Sequence, residues 1–253
     1  MILDSFKLDT KVAIVTGASR GLGQAMAVGL AEAGADLALV DILDMDQTKA
    51  EIESLGRRCI AIKADLSKKE SVDTIVNTTV KELGKIDILF NNAGIIRRAP
   101  LVEFTEKDWD DVMNINIRTL FFLSQAVGKV FIEQGNGGKI VNTASMLSYQ
   151  GGILVPSYTA SKSAVMGLTR LLANELACHN VNVNAIAPGY MATDNTAALR
   201  ADPERNKAIL ARIPAGRWGK PEDLKGAAVF LASSASDYLQ GYTIAVDGGW
   251  LSR

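Results

Sequence analysis

The sequence predicts an α/β fold, a doubly wound parallel sheet with helices on both faces. Three observations point there. Short runs rich in Val, Ile, Leu and Ala alternate with longer helix-patterned segments along the chain. The first run, Lys11 to Thr16, feeds directly into Gly17-Ala18-Ser19-Arg20-Gly21-Leu22-Gly23 and then a helix. No linker, repeat, charge block or low-complexity tract interrupts the 253 residues, so a single domain over 1–253 is expected.

Composition narrows the function. An apolar fraction of 48% and a charged fraction of 22% are those of an ordinary globular protein, and the net charge of −1 favours neither nucleic acid nor an anionic membrane. The start lacks the charged-then-apolar layout of a signal peptide, and no apolar run is expected to cross a bilayer. With two distant cysteines, Cys59 and Cys178, these features lead us to expect a reducing, cytoplasmic setting. His179 is the only histidine. A metal site is therefore not expected, and a Ser-His-Asp hydrolase would need His179 without any G-x-S-x-G elbow.

Each element follows in order. The glycine turn after the first strand lets a backbone approach a pyrophosphate at a helix N-terminus, although tight strand–helix turns also use glycine for steric reasons alone. Its helix runs to about Ala33 and stops at Gly34. The second strand, Asp36 to Asp41, ends on a carboxylate that would accept hydrogen bonds from an adenosine ribose and repel a 2′-phosphate. Asp41 thus favours NAD over NADP, while Arg20 in the glycine turn pulls toward NADP. A helix over 46–55 precedes a third strand, Arg58 to Ala64, which ends at Asp65-Leu66. Asp65 falls where an adenine amino group would sit, or caps the next helix, which a Ser67-Lys68-Lys69-Glu70 capping box would start.

The fourth strand, Ile86 to Phe90, runs into Asn91-Asn92-Ala93-Gly94, small and polar enough to lie against a cofactor or simply to turn. Thr105 caps a long helix that contains Asn116, an unfavourable interior residue whose placement asks for a reason. A glycine-rich turn at 135–138 leads to the fifth strand, Lys139 to Ser145, with Ser145 on the ligand-binding rim. In the helix that follows, Tyr158 and Lys162 are four apart and share a face. A neighbouring ammonium would lower the phenol pKa and let Tyr158 carry a proton, though the spacing alone also fits two surface residues. The sixth strand, Val181 to Ala187, breaks at Pro188-Gly189, and residues 190–218 read as a substrate lid. Pro221 opens a last helix and Thr243 to Asp247 forms a last strand.

Together, Gly17-x-x-x-Gly21-x-Gly23, Asp65-Leu66, Asn91 to Gly94, Asn116, Ser145, Tyr158-x-x-x-Lys162 and Pro188-Gly189 resemble the short-chain dehydrogenase/reductase family over nearly the whole chain. The stretches Trp109 to Asn114, Gln134 to Ile140, Ser145 to Ser148, Ala187 to Thr193, Ile213 to Gly219 and Ala245 to Leu251 resemble members acting on sugar acids. The resemblance implies a Rossmann-type domain whose seven-stranded sheet has the order 3-2-1-4-5-6-7. It implies hydride exchange between NAD(H) and a secondary alcohol or ketone, with catalytic Asn116, Ser145, Tyr158 and Lys162. Tyr158 would move the proton, Lys162 would lower its pKa and hold the nicotinamide ribose, Ser145 would orient the reacting oxygen, and Asn116 would organise a relay water.

The implied cofactor contacts are Gly17, Ser19, Arg20, Gly21, Leu22, Gly23, Asp41, Asp65, Leu66, Asn92, Ala93, Gly94, Tyr158, Lys162, Pro188, Gly189, Met191 and Thr193. The Ala18-Ser19-Arg20 filling of the turn is commoner in NADP-using relatives, so NADP stays open. A sugar acid needs a cation for its carboxylate, and Arg97, Arg98, Arg212 and Arg217 are the candidates, with Met146, Leu147, Gln150 and Tyr190 as further lining. A homotetramer is implied, with the apolar Trp250-Leu251 tail covered by a neighbouring copy. Two other functions fit the same motifs: a reductase of carrier-bound 3-oxoacyl groups, and a non-catalytic NAD-binding sensor or scaffold.

Overall fold

Continuous apolar runs become buried strands here because both sheet faces are covered. The structure, a computed structural model, describes residues 1–253. Its strands are β1 (Val12–Thr16), β2 (Asp36–Asp41), β3 (Cys59–Lys63), β4 (Ile88–Asn91), β5 (Gly138–Thr143), β6 (Val181–Pro188) and β7 (Thr243–Val246). They form one parallel sheet in the expected order β3-β2-β1-β4-β5-β6-β7. Successive side chains point to opposite faces. Ala13, Val15, Leu37 and Leu39 thus join one core with helices α1 (Gly21–Glu32) and α9 (Lys225–Ala232). Val12, Ile14, Ala38 and Val40 join the other, with α3 (Ser71–Leu83) and α5 (Leu120–Gln134). The remaining helices are α2 (Asp46–Ser54), α4 (Glu106–Met113), α6 (Pro156–Leu176), α7 (Ala197–Ala201) and α8 (Pro203–Arg212).

The strand order reverses between β1 and β4, opening a crevice beyond their C-terminal ends. Into it project the glycine turn after β1, the Asn91–Gly94 turn after β4 and the loop after β5. Residues 190–218 cross above as a short 3-10 turn, α7 and α8, with Asp202 accepting the Glu204 and Arg205 N–H groups at 3.0 Å as the cap of α8.

Four expectations are corrected. The Ser67–Glu70 capping box does not form: Ser67 N–H bonds Asp65 Oδ1 at 2.9 Å, and α3 begins at Ser71, whose hydroxyl donates to the Asp65 carbonyl. Ser145 stands two residues past the end of β5 and caps a short 3-10 turn, Met146–Ser148. The helical run Glu106–Gln134, 29 residues, is long and apolar enough by length and composition to cross a bilayer. Its Val112, Leu123, Val127 and Phe131 are buried, as in a core helix. Finally, Trp250 is 5% exposed within its own chain, packed with Met146, Ile209 and Ile213, so no neighbouring copy is needed to cover it.

Candidate active site

The glycine turn is held open by its neighbours. Gly17 has φ +69°, and a Cβ there would lie 2.9 Å from Asn92 Nδ2; one on Gly23 would lie 2.5 Å from the same atom. Only glycine fits both positions. Thr48, fully buried on α2, donates to the Ala18 and Ser19 carbonyls at 3.0 and 3.3 Å and fixes the turn from below. Arg20 caps α1 without a side-chain hydrogen bond, so the first N–H groups of this helix have no side-chain acceptor and face the crevice as an anion site.

Thr16, at the end of β1, joins this turn to the next. Its hydroxyl accepts the Asn92 and Ala93 N–H groups at 3.0 Å and donates to the Phe90 carbonyl at 3.2 Å. Asn92 Nδ2 donates to the Thr16 carbonyl at 2.9 Å. Asn91 reaches Ser124 and Asn142, each at 2.9 Å, pinning β4 to β5 and α5. Asp41 accepts Ser19 N–H and Leu43 N–H at 3.1 Å each, which sets its carboxylate beside the glycine turn. Asp65 both closes its own turn and keeps its carboxyl ionised: the Ser67 hydrogen bond holds its pKa below the usual carboxylate range.

Asn116 has its reason. It lies in a π-helical stretch, Asn114–Thr119, between α4 and α5. Its Oδ1 accepts Ile95 N–H at 2.9 Å, and its Nδ2 donates to the Ile95 carbonyl at 3.0 Å and Ser161 Oγ at 3.1 Å. From the same stretch Thr119 bonds the Leu66 carbonyl at 2.6 Å and Asn114 bonds the Ser67 carbonyl at 3.0 Å. One local widening therefore grips the loops after both β3 and β4.

Lys162 and Tyr158 meet Ser145 at the floor of the crevice. Lys162 is 4% exposed, and its ammonium donates to the Thr143 carbonyl at 2.6 Å, leaving two of three donors free. A Cβ on Gly94 would lie 3.8 Å from Lys162 Nζ and 3.1 Å from Asn116 Oδ1, so the bare glycine leaves those donors open to a ligand. Burial pulls Lys162 down to about 8. Burial is also the largest influence on Tyr158 and pushes its phenol up, while a hydrogen bond from Ser145 and the Arg98 guanidinium act downward. Desolvation outweighs these downward pulls on the phenol, and the Lys162 ammonium stands 5.6 Å from the Tyr158 ring centre.

Ser148, which the sequence reading left unassigned, ties these groups together. Its hydroxyl donates to the Lys162 carbonyl at 2.5 Å and accepts Ser145 N–H at 3.2 Å, linking the loop after β5 to α6. Ser161 does the same for Asn116, since its hydroxyl also donates to the Tyr158 carbonyl at 2.9 Å.

The arginine candidates divide cleanly. Arg97 is held by Asp108 and Asp111 at 3.4 and 3.6 Å, and Arg217 by Asp223 at 2.6 Å. Arg98 donates only to the Asn195 carbonyl, at 3.1 Å, and Arg212 lies 4.0 Å over the Trp250 ring with Gln150 Oε1 at 3.1 Å. Neither Arg98 nor Arg212 pairs with a carboxylate. Tyr190 stacks edge-on against Trp218 and Trp250 beneath the lid, with ring centres 5.4 and 4.7 Å away. Met191 is 4% exposed and packs with the core beside Gly219, and the Thr193 methyl leans toward Gly21.

Comparison with known proteins agrees with this architecture. A family model described as enoyl-(acyl carrier protein) reductase matches residues 17–251. The chain is 65% identical over 253 residues, all of both chains, to a 2-dehydro-3-deoxy-D-gluconate 5-dehydrogenase of Dickeya dadantii. A solved structure from Agrobacterium tumefaciens, described as a 2-deoxy-D-gluconate 3-dehydrogenase with bound NADP, is 54% identical at a TM-score of 0.92, covering 99% of this chain and 100% of its own. A gluconate 5-dehydrogenase from Burkholderia cenocepacia, in complex with NADP and tartrate, is 38% identical at a TM-score of 0.95 and covers all of both chains. With the crevice, the glycine turn and the Ser145–Tyr158–Lys162 floor in place, the chain is a member of the short-chain dehydrogenase/reductase family, an oxidoreductase built for a nicotinamide dinucleotide.

Proposed function

We propose that this enzyme interconverts 2-dehydro-3-deoxy-D-gluconate and its 2,5-diketone, in the cytoplasm, as a step of hexuronate (pectin-type) breakdown. The observation that carries the reading is full-length identity of 65% to the Dickeya dadantii enzyme of that name. Two guanidinium groups without carboxylate partners, Arg98 and Arg212, support an acidic substrate, because each can pair with its carboxylate at no cost to an existing ion pair. NAD(H) is the proposed cofactor, on the Asp41 carboxylate fixed beside the glycine turn. A homotetramer fits the large apolar side chains left exposed on the neighbouring helices, Trp109, Phe122 and Leu171.

The dinucleotide, when bound, supplies the hydride chemistry. The α1 N-terminus and glycine turn receive its pyrophosphate, and the two free donors of Lys162 hold the nicotinamide ribose. Tyr158 takes the hydroxyl proton in oxidation and returns it in reduction. Ser145 donates to the reacting oxygen, where charge develops in the transition state. Asn116, with its amide spent on Ile95 and Ser161, ties the Ile95 main chain to α6, the helix of Lys162, and keeps both in place beside the ammonium.

A steady-state panel of sugar acids and acyl thioesters, each with both nicotinamides, tests the reading. Turnover restricted to deoxy sugar acids supports it. Faster turnover of thioesters would make this a carrier-type reductase, and no turnover at all a scaffold.

A further inference from the structure

Arg20 is the one cation of the glycine turn, and it does not face Asp41. Its guanidinium pairs with Asp194 of the lid at 2.7 Å, with side chains 65% and 71% exposed. Arg20 follows Ser19, whose N–H bonds Asp41, so its reach includes the adenosine end that Asp41 marks. The lid touches the turn here as well, since a Cβ on Gly21 would lie 3.7 Å from the Thr193 methyl.

We infer that Asp194 is a specificity residue for the dinucleotide, acting by engaging Arg20 and so withholding it from a 2′-phosphate. Two carboxylates then set the preference in different ways. Asp41 meets a 2′-phosphate with like charge, and Asp194 occupies the guanidinium that would have offset that repulsion. Because the pair is solvent-exposed it is weak, so a 2′-phosphate can displace Asp194 at a modest penalty. NADP is disfavoured by this route rather than excluded, consistent with a fold whose relatives hold NADP. The inference rests on the dinucleotide reading of the crevice and specifies which of its residues choose between the two forms.

Isothermal titration calorimetry of the whole enzyme with NAD+ and NADP+ separately tests it. Asp194→Asn is expected to tighten NADP+ binding about 2- to 5-fold and to leave NAD+ affinity unchanged. Adding Arg20→Ala to Asp194→Asn should remove the gain. An Asp194→Asn protein that binds NADP+ no more tightly, or that shifts both dinucleotides equally, overturns the inference while leaving the dinucleotide site intact. Binding of neither dinucleotide by the unaltered enzyme overturns both.

Discussion

The Lys162 ammonium donates to the Thr143 carbonyl at 2.6 Å and has no carboxylate beside it. An unpaired buried cation costs stability, and its pKa of about 8, down from 10.5, corresponds to about 3 kcal/mol. The penalty is fully present below pH 8. It is relieved as pH rises from about 8 to 10.5, where the folded chain has released the proton and the unfolded chain still binds it. Lys162→Met should therefore raise stability near pH 7 by about 1–2 kcal/mol, after loss of the Thr143 hydrogen bond. Urea unfolding at pH 7 and pH 10 should show this gain shrinking with pH; a variant less stable at pH 7 would contradict the argument.

In the proposed reaction Tyr158 carries the proton through its phenol hydroxyl. Tyr158→Phe should lower kcat by about 10²–10⁴-fold while dinucleotide affinity and the unfolding midpoint stay near those of the parent. Retained turnover would remove the phenol from the chemistry.

Ser148 joins Ser145 to Lys162 through one hydroxyl. Ser148→Ala deprives the Ser145 N–H of its acceptor, which costs about 1–3 kcal/mol, and frees the loop after β5 to shift from α6. Turnover should fall about 10-fold with dinucleotide affinity unchanged, because the glycine turn and Asp41 are untouched. A loss of affinity with kcat preserved would place Ser148 in cofactor binding instead.

The four arginines predict a pattern rather than a single effect. Arg98→Met or Arg212→Met should raise KM for an acidic substrate about 10-fold or more. Arg97→Met and Arg217→Met should leave it within about twofold, since their charges are already spent on Asp108, Asp111 and Asp223. Equal effects at all four would show a general field and not a carboxylate contact.

Much of this was legible in the sequence where chemistry and neighbours lie close along the chain. The strand-turn-helix from Lys11 to Ala33, the four-residue spacing of Tyr158 and Lys162, and the misfit of Asn116 in a helix are all local signals. Ser148 and Thr16 were not legible, because each acts on partners brought near only by the fold: Lys162 is 14 residues from Ser148, and Asn92 is 76 from Thr16. The same holds for the arginines. Nothing local distinguishes Arg97 from Arg98, yet the backbone sends one to α4 and the other to the lid. Trp250 misled for the converse reason, since an apolar tail looks alike whether its own chain or another covers it.

The π-helical stretch carries a warning for anyone wishing to toughen this enzyme. Asn114–Thr119 departs from ideal geometry, and a redesign seeking regularity would trim a residue there and gain a straighter rod. That repair would swing Asn114, Asn116 and Thr119 off three carbonyls in two separate loops at once. What looks like a flaw in the helix is the hinge pin on which both walls of the crevice hang.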